Sequence, residues 1–405
     1  MQFGLLGKKL GHSYSPQIHS HLGDYPYDLF EKSPEELDDF LKNGDFDGLN
    51  VTIPYKKTVI PYCASLSPIA MRLGAINTLI RRNDGQLVGH NTDYFGFKTM
   101  LRKSGVPVKD RLVVVLGAGG ASNTVVAVLE EMGAIIHVIA HKDNNPETLS
   151  RYSDAIMLVN ATPVGMYPNN GETPVDLSYF PKLEGVLDLI YNPARTQLML
   201  DAEARGIITV NGLEMLVAQA KESAEWFIHR AIPSGEIDRI FVEMRNQMEN
   251  IILIGMPGSG KSTIGTMLAE ATGRQFVDAD AYLVEKAGRP IADIFANDGE
   301  AAFRQLETEV LQELGKRSGL VIATGGGCVT RPENYPLLHQ NGTIFRLCRD
   351  LDKLPTDGRP LMKTTAKIDM FRVRDPLYKQ FADHEIDNNS TPEATVARIL
   401  HILEE

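Results

Sequence analysis

Residues 251–265 read IILIGMPGSGKSTIG, an apolar run that leads into a glycine-rich loop ending in Lys-Ser-Thr. The loop satisfies the pattern G-x-x-x-x-G-K-[ST], and the run before it is typical of a buried strand. Backbone N–H groups of such a loop converge on nucleotide phosphates at the start of the following helix. The spacing therefore predicts a nucleotide-binding domain that opens almost two-thirds of the way along a chain of 405 residues.

Within this loop, Lys261 is expected to reach the β- and γ-phosphates of ATP, and the Ser262 hydroxyl is expected to coordinate Mg²⁺. The other ATP-binding candidates are Gly258, Ser259, Gly260 and Thr263. Downstream, the segment FVDAD places Asp278 and Asp280 two residues apart at a strand end, so we expect both on one face of the strand. One carboxylate can serve the Mg²⁺ water shell and the other can act as base for an acceptor hydroxyl. A plain acidic turn is the alternative.

Further residues of this part fit a small anionic substrate. Arg304 lies in a helical pattern and suits a bidentate grip on a carboxylate. Three consecutive glycines, at 325–327, allow backbone N–H groups to approach a ligand closely. With the segments GMPGSGKST, DAD, GRPIADIFANDGEAAFRQLE, GGG, GRPLM and RDPLY, residues 249–405 resemble shikimate kinase.

That resemblance implies ATP and Mg²⁺ as cofactors and shikimate as substrate. It assigns shikimate binding to Asp280, Arg304, Gly326 and Arg374, with Asp280 near the attacked 3-hydroxyl as a catalytic residue beside Lys261. Ser262 and Asp278 are then the expected metal ligands. Arg359 is implied to be a lid arginine that closes over the ATP phosphates. The lid segment RDLDKLPTDGRPLM departs from the family, because it is shortened and has Lys353 where the family often has another arginine.

A second nucleotide motif lies earlier, in RLVVVLGAGGASNTVVAVLEEMGAIIHVIA at 111–140. The segment predicts a strand, a glycine turn from Gly117 to Ser122, a helix and a second strand, which is the frame of a dinucleotide site. The second strand leads into His141 and Lys142 rather than an acid. Positive side chains there favour a 2′-phosphate and hence NADP, although Asp143 leaves NAD open.

Polar residues in short frames of the first hundred residues predict substrate chemistry. Ser13 and Ser15 in GHSYSP would share one face if that segment is extended. The segments NVTIPYK, GAINT and GHNTDYFG add Thr52, Lys56, Asn77 and Asp93. A ketone that accepts hydride needs a proton donor near its oxygen, and a lysine beside a carboxylate can supply the proton.

With NATPVGM, DLIYNP and GLEMLVAQA further along, residues 1–245 resemble shikimate dehydrogenase. The resemblance implies that Lys56 is the catalytic acid and base and that Asp93 holds the same hydroxyl. The resemblance also implies a set of substrate-binding residues: Ser13, Ser15, Thr52, Lys56, Asn77, Asp93, Tyr191 and Gln219. Cofactor binding falls on Gly117, Ala118, Gly119, Gly120, Ala121, His141, Lys142, Leu189 and Gly212.

The cofactor region departs from that family in one place. Only 20 residues run from His141 to Asn160, where the family usually has another helix and strand edge. The family's Asn-Arg-Thr, which often grips the adenosine phosphate, is replaced by AHK at 140–142. We therefore expect a trimmed cofactor domain and hypothesise a weakened affinity for NADP(H).

The alternation of strand-like and helical runs predicts an α/β fold throughout. We expect a substrate-binding domain at 1–104, completed by a helical return at 213–245, and a Rossmann-like NADP-binding domain at 105–212. A P-loop kinase domain is expected at 246–405.

Composition limits the remaining classes. The net charge of −11 argues against a general nucleic-acid or anionic-membrane binder. No apolar run approaches the roughly 20 residues that span a bilayer, and the start of the chain is too polar for a secretory signal. The three cysteines show no metal-type spacing, and so few cysteines fit a protein of a reducing compartment. We expect a cytoplasmic protein whose partners are small-molecule substrates, and its oligomeric state is left open.

The two resemblances together imply a bifunctional enzyme of aromatic amino acid biosynthesis. It would reduce 3-dehydroshikimate to shikimate with NADPH and then phosphorylate shikimate with ATP. One alternative keeps the folds but changes the substrates, to quinate in the first part or to a gluconate-type substrate in the second. Another is a non-catalytic sensor, against which Lys56, Lys261 and Asp280 argue. Channelling between the two sites does not follow from the fusion.

Overall fold

The computed structural model describes residues 2–11, 13–354 and 364–404. The chain divides into two compact units. The first comprises Met1–Met166, Gly171–Tyr191 and Asp201–Met244, and the second comprises Tyr167–Asn170, Asn192–Leu200 and Arg245–Glu405. Within the described ranges, no helix is long and apolar enough to cross a membrane.

The first unit begins with a six-stranded mixed sheet. Its strands are β1 (Phe3–Gly7), β2 (Tyr27–Glu31), β3 (Gly48–Val51), β4 (Cys63–Leu66), β5 (Thr78–Arg81) and β6 (Leu87–His90). They lie in the order β2-β1-β3-β5-β6-β4, with β5 antiparallel to both of its neighbours. Its helices are α1 (Ser15–Leu22), α2 (Leu37–Asn43), α3 (Pro68–Leu73) and α4 (Asp93–Lys103), with a 3₁₀ turn at Ile60–Tyr62.

A second, wholly parallel sheet of five strands follows in the same unit. It contains β7 (Leu112–Leu116), β8 (Ile135–Ile139), β9 (Met157–Asn160), β10 (Gly185–Asp188) and β11 (Ile208–Val210), in the order β11-β10-β9-β7-β8. The helices along this stretch are α5 (Gly120–Glu131), α6 (Pro146–Ser150), α7 (Gln197–Glu203), α8 (Gly212–Ile228) and α9 (Gly235–Met248), with 3₁₀ turns at His141–Asp143 and Leu177–Tyr179. The start of α7 and the end of α9 belong to the second unit. Val113, Val114 and Val115 are fully buried, as expected for a central parallel strand covered on both faces.

The second unit is built on another parallel sheet of five strands. They are β12 (Asn250–Ile254), β13 (Gln275–Asp278), β14 (Leu320–Ala323), β15 (Gly342–Cys348) and β16 (His384–Asp387), in the order β13-β14-β12-β15-β16. The helices are α10 (Lys261–Thr272), α11 (Ala279–Ala287), α12 (Ile291–Lys316), α13 (Asn334–His339), α14 (Thr364–Phe381) and α15 (Pro392–Glu404), with 3₁₀ turns at Cys328–Thr330 and Leu351–Lys353. The helix α12 is broken at Gly299, whose φ of 83° lies in the left-handed region.

Two chain segments that precede α8 are hydrogen-bonded inside the second unit. The backbone N–H of Arg195 donates to the carbonyl of Gln340 at 2.8 Å, and that of Ala194 donates to Asn341 Oδ1 at 3.2 Å. Asn170 Nδ2 donates to Gln340 Oε1 at 2.9 Å. These bonds satisfy buried polar groups that would otherwise destabilise the unit.

The predicted α/β architecture is confirmed, including the strand, glycine turn, helix and strand at 111–140 and the strand that precedes the phosphate loop. The condition set for Ser13 and Ser15 is not met, and one local expectation is wrong. Ser15 is the first residue of α1, so the segment from Ser13 to Ser15 is not an extended strand. Asp280 lies in the first turn of α11, so it does not share a strand face with Asp278.

Candidate active sites

The first cleft is organised around a lysine and a carboxylate. Lys56 lies in the turn after β3, and its Nζ donates to Asp93 Oδ2 at 2.6 Å. Asp93 begins α4, and its other oxygen accepts from Asn77 Nδ2 at 3.0 Å. Asn77 is itself fixed, because its Oδ1 accepts from the Thr92 backbone at 2.7 Å. Both oxygens of Asp93 are therefore bonded, which holds the carboxylate and the lysine in one geometry.

The substrate candidates of the first unit line one cavity of about 400 Å³. From the predicted sets, it is lined by Ser13, Ser15, Thr52, Lys56, Asn77, Asp93, Ala121, Leu189, Tyr191, Gly212 and Gln219. Although Ser13 and Ser15 are not on an extended strand, both reach the cavity, where Ser15 N donates to Ser13 Oγ at 3.2 Å. Burial raises the pKa of Tyr191, so its hydroxyl stays a hydrogen-bond donor at neutral pH.

Asn50 and Thr124 also line this cavity and were not predicted. Asn50 accepts from the Tyr27 hydroxyl at 2.7 Å. An asparagine inside the otherwise apolar strand β3 was the available indication, since a buried amide needs polar partners.

The glycine turn of the first unit adjoins the same cavity. Gly117 has φ of 100°, and a side chain there would meet the Ala161 carbonyl at 3.1 Å. Side chains at Gly119 or Gly120 would meet nothing within 4 Å, which leaves open space at the start of α5. This cradle fits a dinucleotide pyrophosphate, because exposed N–H groups at a helix N-terminus attract phosphate.

The remaining cofactor candidates lie at different places around the turn. Ala118 lines an adjacent cavity with Ser122 and Arg72. His141 and Lys142 are exposed in the 3₁₀ turn that follows β8 after Ala140, and they do not line the substrate cavity. At Gly212, a Cβ would lie 2.0 Å from the Leu189 carbonyl, so only glycine fits there.

The second cleft contains the phosphate loop between β12 and α10. Lys261 Nζ donates to the carbonyls of Gly255 at 2.9 Å and Met256 at 3.2 Å. The two predicted metal ligands are in contact, since Ser262 Oγ donates to Asp278 Oδ2 at 2.8 Å. Asp278 also caps α11, where its Oδ1 accepts from the backbone N–H of Asp280 at 3.1 Å. The structure therefore brings these groups together around a helix N-terminus.

The oxygen pair of Ser262 and Asp278 fits Mg²⁺, a hard cation that usually takes one or two protein oxygens and keeps several waters. Within the described ranges, no group of three or more His, Cys, Asp or Glu side chains could hold a metal ion. A magnesium ion at this pair would therefore depend on water and phosphate oxygens for the rest of its coordination.

The cavity beside the loop measures about 720 Å³ and is strongly polar. Its lining includes Gly258, Gly260, Lys261, Ser262, Thr263, Asp278, Asp280 and Gly326, with Arg349 and Lys353. Ser259 is fully buried. Arg359 lies outside the described residues.

The predicted shikimate ligands converge on the three glycines at 325–327. A Cβ at Gly325 would lie 2.7 Å from Asp280 Oδ1, and one at Gly327 would lie 2.1 Å from the Arg304 guanidinium. Arg374 donates to the Gly326 carbonyl at 2.9 Å. These close approaches explain why glycines occupy the segment.

Glu307 belongs to this group and was not predicted. Its Oε2 accepts from Arg304 at 2.8 Å, and burial raises its pKa although the Arg304 bond opposes the shift. A glutamate three residues after an arginine on one helix face was the available indication.

The two clefts define the classes of the two parts. A Lys–Asp pair beside a glycine-turn domain with a parallel sheet is typical of a dinucleotide-dependent oxidoreductase. A phosphate loop with a serine–aspartate pair and a carboxylate near an arginine is typical of a phosphotransferase.

Comparisons with known proteins agree with these classes. A family model described as the shikimate dehydrogenase substrate binding domain matches residues 5–79, and one described as shikimate kinase matches residues 257–404. The shikimate dehydrogenase (NADP(+)) of Clostridium perfringens strain SM101 is 34% identical over 266 residues, which covers 60% of this chain and 98% of the relative.

Two solved structures resemble the same part. A chorismate mutase/shikimate 5-dehydrogenase fusion protein from Clostridium acetobutylicum has a TM-score of 0.56 and 39% identity, covering 60% of this chain and 96% of that one. A quinate dehydrogenase from Corynebacterium glutamicum in complex with NAD has a TM-score of 0.54 and 27% identity, covering 60% and 99%. The chain belongs to the shikimate dehydrogenase family and carries a shikimate kinase domain after that part. It is a bifunctional enzyme of the shikimate pathway.

Proposed function

We propose that the first unit reduces 3-dehydroshikimate to shikimate with NADPH, and that the second unit phosphorylates the 3-hydroxyl of shikimate with ATP and Mg²⁺. The observation that carries the proposal is the bond between Lys56 and Asp93 inside a cavity that Ala121, Leu189 and Gly212 also line. A lysine that can donate a proton and its carboxylate partner thus share one cavity with three proposed cofactor residues, which supports the proposal.

In the first reaction, bound NADPH supplies the hydride that reaches the carbonyl carbon. Lys56 donates its proton to the carbonyl oxygen, so the ketone becomes a hydroxyl and the lysine is left neutral until solvent returns a proton. Asp93 accepts a hydrogen bond from the same hydroxyl and holds Lys56 in place. Asn77 keeps Asp93 oriented through its bond of 3.0 Å.

In the second reaction, Asp280 accepts the proton of the 3-hydroxyl as that oxygen attacks the γ-phosphate of ATP. Arg304, which approaches Gly327, and Arg374, which donates to the Gly326 carbonyl, bind the substrate carboxylate. Lys261 exchanges its carbonyl partners for phosphate oxygens. Ser262 and Asp278 would hold Mg²⁺, which would neutralise charge on the phosphates.

The assignment of residues to the two reactions follows the expected division of the chain. Residues 1–104, with the helical return at 213–245, bind the polyol, residues 105–212 bind NADP(H), and residues 246–405 form the kinase. His141 and Lys142 are the residues we propose for the NADP 2′-phosphate, because both lie in the turn that begins two residues after β8 ends. The short helix α6 fits a trimmed cofactor domain, and a tight NADPH dissociation constant would contradict our hypothesis of weakened affinity.

One incubation tests both reactions in sequence. The full chain is mixed with 3-dehydroshikimate, NADPH and MgATP, the nicotinamide absorbance is followed, and the products are identified by mass spectrometry. We expect NADPH consumption and shikimate 3-phosphate. Accumulation of shikimate would contradict the kinase assignment, and no oxidation of NADPH or NADH would contradict the dehydrogenase assignment.

The quinate alternative has one observation in its favour, the structural similarity to a quinate dehydrogenase. The comparison to make is the ratio of kcat/KM for shikimate and quinate oxidation, with NADP and with NAD. A ratio in favour of quinate with NAD would replace the proposed substrate of the first unit.

A further inference from the structure

We propose that Arg349 binds the polyphosphate of the nucleotide in the second cleft, which deepens the kinase function proposed above and rests on it. Arg349 is the residue directly after β15. The strand β15 is the parallel neighbour of β12, with Ile254 opposite Arg346. Because the carboxyl ends of adjacent parallel strands meet at one sheet edge, Arg349 emerges beside the phosphate loop that follows β12.

The guanidinium lies close to the phosphate loop. Arg349 lines the same cavity as Lys261, Ser262 and Thr263. Its Nη1 lies 3.9 Å from the position that a Cβ would occupy at Gly260, the residue immediately before α10. Backbone N–H groups at that helix start are where phosphate oxygens bind. The guanidinium is thus placed at the polyphosphate and not at the far end of the cleft.

The side chain has unused hydrogen-bonding capacity. Arg349 Nε is buried, and among the residues that the structure describes it has no hydrogen-bond partner. Arg346, on the same strand, differs in this respect, because it forms ion pairs with Asp375 and Glu385. A buried guanidinium N–H without a partner is costly, and an anion that enters the cavity would remove that cost. Arg346 is a structural arginine, whereas Arg349 faces the ligand space.

The backbone around Arg349 is held in place on both sides. The carbonyl of Cys348 accepts from Asn388 N at 2.7 Å, and the N–H of Asp350 donates to Asn389 Oδ1 at 2.9 Å. Asn388 also fixes the phosphate loop, since its Nδ2 donates to the Ser259 carbonyl at 2.6 Å. The arginine and the loop therefore share a rigid support, which lowers the ordering cost of binding.

The charges that face the cavity suit a polyanion. Among the residues that the structure describes, three cations, Arg349, Lys261 and Lys353, and two acids, Asp278 and Asp280, line it. We have placed Asp278 at Mg²⁺, which leaves the cations to face phosphate oxygens. Arginine binds phosphate through two parallel N–H donors, and lysine acts as a point charge.

The test measures ADP and AMP binding to the full chain by isothermal titration calorimetry, for wild type, Arg349→Ala, Arg349→Lys and Lys261→Ala. We expect Arg349→Ala to raise the ADP dissociation constant roughly ten- to hundredfold, the range for a lost hydrogen bond to a charged group. The ADP dissociation constant of Arg349→Lys should lie between those of Arg349→Ala and wild type. The affinity of Arg349→Ala for AMP should fall less than its affinity for ADP, because AMP lacks the β-phosphate.

A matched control is Arg372→Ala, whose side chain is 75% exposed and pairs with Asp369 at 3.7 Å. It should change ADP binding by no more than about twofold, as surface substitutions usually do. The KM for shikimate should stay unchanged in Arg349→Ala, which shows that the second unit is folded, and NADPH oxidation by the first unit should match wild type.

An Arg349→Ala variant that binds ADP as wild type does, while Lys261→Ala does not, would overturn this inference and leave the kinase proposal standing. An equal loss for AMP and ADP, or a parallel rise in the KM for shikimate, would also overturn it, since the arginine would then act on the base or on the loop structure. Wild type that fails to bind ADP would instead overturn the kinase proposal itself.

Discussion

Lys56 in the first unit donates to Asp93, its proposed catalytic partner, whereas Lys261 in the second unit donates to two backbone carbonyls of its own loop. Arg304 likewise donates to Glu307, although its proposed ligand is a carboxylate of the substrate. In the first cleft, Lys56 and Asp93 orient each other. In the second cleft, Lys261 and Arg304 are bonded to protein groups, and a ligand must replace those bonds or share the donors.

The difference has an energetic meaning. A substrate in the first cleft meets a pair whose geometry is already fixed, so little binding energy is needed to order it. A nucleotide in the second cleft must exchange two hydrogen bonds of Lys261 for phosphate bonds, so only the difference between them contributes to affinity. The activity of the first site should therefore depend most on keeping both members of the Lys56–Asp93 pair. The activity of the second site should depend most on the positive charge of residues such as Lys261.

Replacing Lys56 with alanine should have the largest effect. We expect kcat for NADPH oxidation to fall about 10²- to 10⁴-fold, the contribution of a positioned acid–base group. Lys57→Ala is the matched control, because Lys57 is the exposed neighbour in sequence. Phosphorylation of added shikimate should be unchanged in both variants. A loss of kinase activity in Lys56→Ala would show that the clefts are not independent.

Lys261→Ala should lower the kinase kcat about 10²- to 10³-fold, which is typical when one preorganised charge is removed from a transition state. The measurement is ADP formation with saturating shikimate. Lys286→Ala serves as control, since Lys286 forms an ion pair with Glu313 on the surface. NADPH oxidation should be retained, and its loss would contradict the separation of the two reactions.

Glu307→Gln sharpens the comparison inside the second cleft. The change keeps the shape of the side chain but removes the charge that holds Arg304, so we expect the KM for shikimate to rise about tenfold with little change in the KM for ATP. Glu309→Gln, two residues further on the exposed face of the same helix, should have no such effect. If the two variants behave alike, Glu307 does not position Arg304.

The smallest effect concerns acid stability of the first unit. Burial lowers the pKa of His19 from 6.5 to about 3, and the ring stacks on Tyr27 with centroids 4.0 Å apart. Between these pH values the unfolded chain binds a proton that the folded chain does not, so the free energy of unfolding falls as pH falls below 6.5, by up to about 1.4 kcal/mol per pH unit.

His19→Phe should remove that contribution, so its loss of stability between pH 7 and pH 5 should be smaller than that of wild type by about 2 kcal/mol. Urea unfolding followed by the fluorescence of Trp226 measures it, because the sequence has a single tryptophan and Trp226 lies in the first unit, stacked on His90. His384→Phe, in the second unit, is the control. Equal pH dependence in His19→Phe and wild type would refute the assignment.

Local motifs were enough to predict most of the fold. The loop at 255–263 and the turn at 117–122 carry their geometry in their glycines, and the buried parallel strands are continuous apolar runs. The proposed catalytic pair of Lys56 and Asp93 came from a family resemblance, and the structure brings both residues into contact.

What the sequence did not reveal depends on contacts between distant segments. Asp278 and Asp280 were placed on one strand, but a carboxylate at a helix start caps the helix and ends the strand. The proposed roles of Glu307 and Arg349 depend on tertiary structure. Glu307 lies on α12 and Arg349 follows β15, and only the folded unit brings these elements close to the cavity. Nor did any local pattern indicate that Arg195 would bond to Gln340.

The bond between Arg195 and Gln340 affects what happens when the chain is cut between its two parts. The chain supplies Asn192–Leu200 to the second unit long before it enters that unit finally at Arg245. A single protease cut after Met244 would therefore leave residues 192–200 on the amino-terminal fragment. Their bonds to Gln340 and Asn341 would become contacts between two polypeptides, governed by concentration instead of by tethering. Splitting the gene at this junction would thus leave Gln340 and Asn341 without these two bonds until the fragments associate.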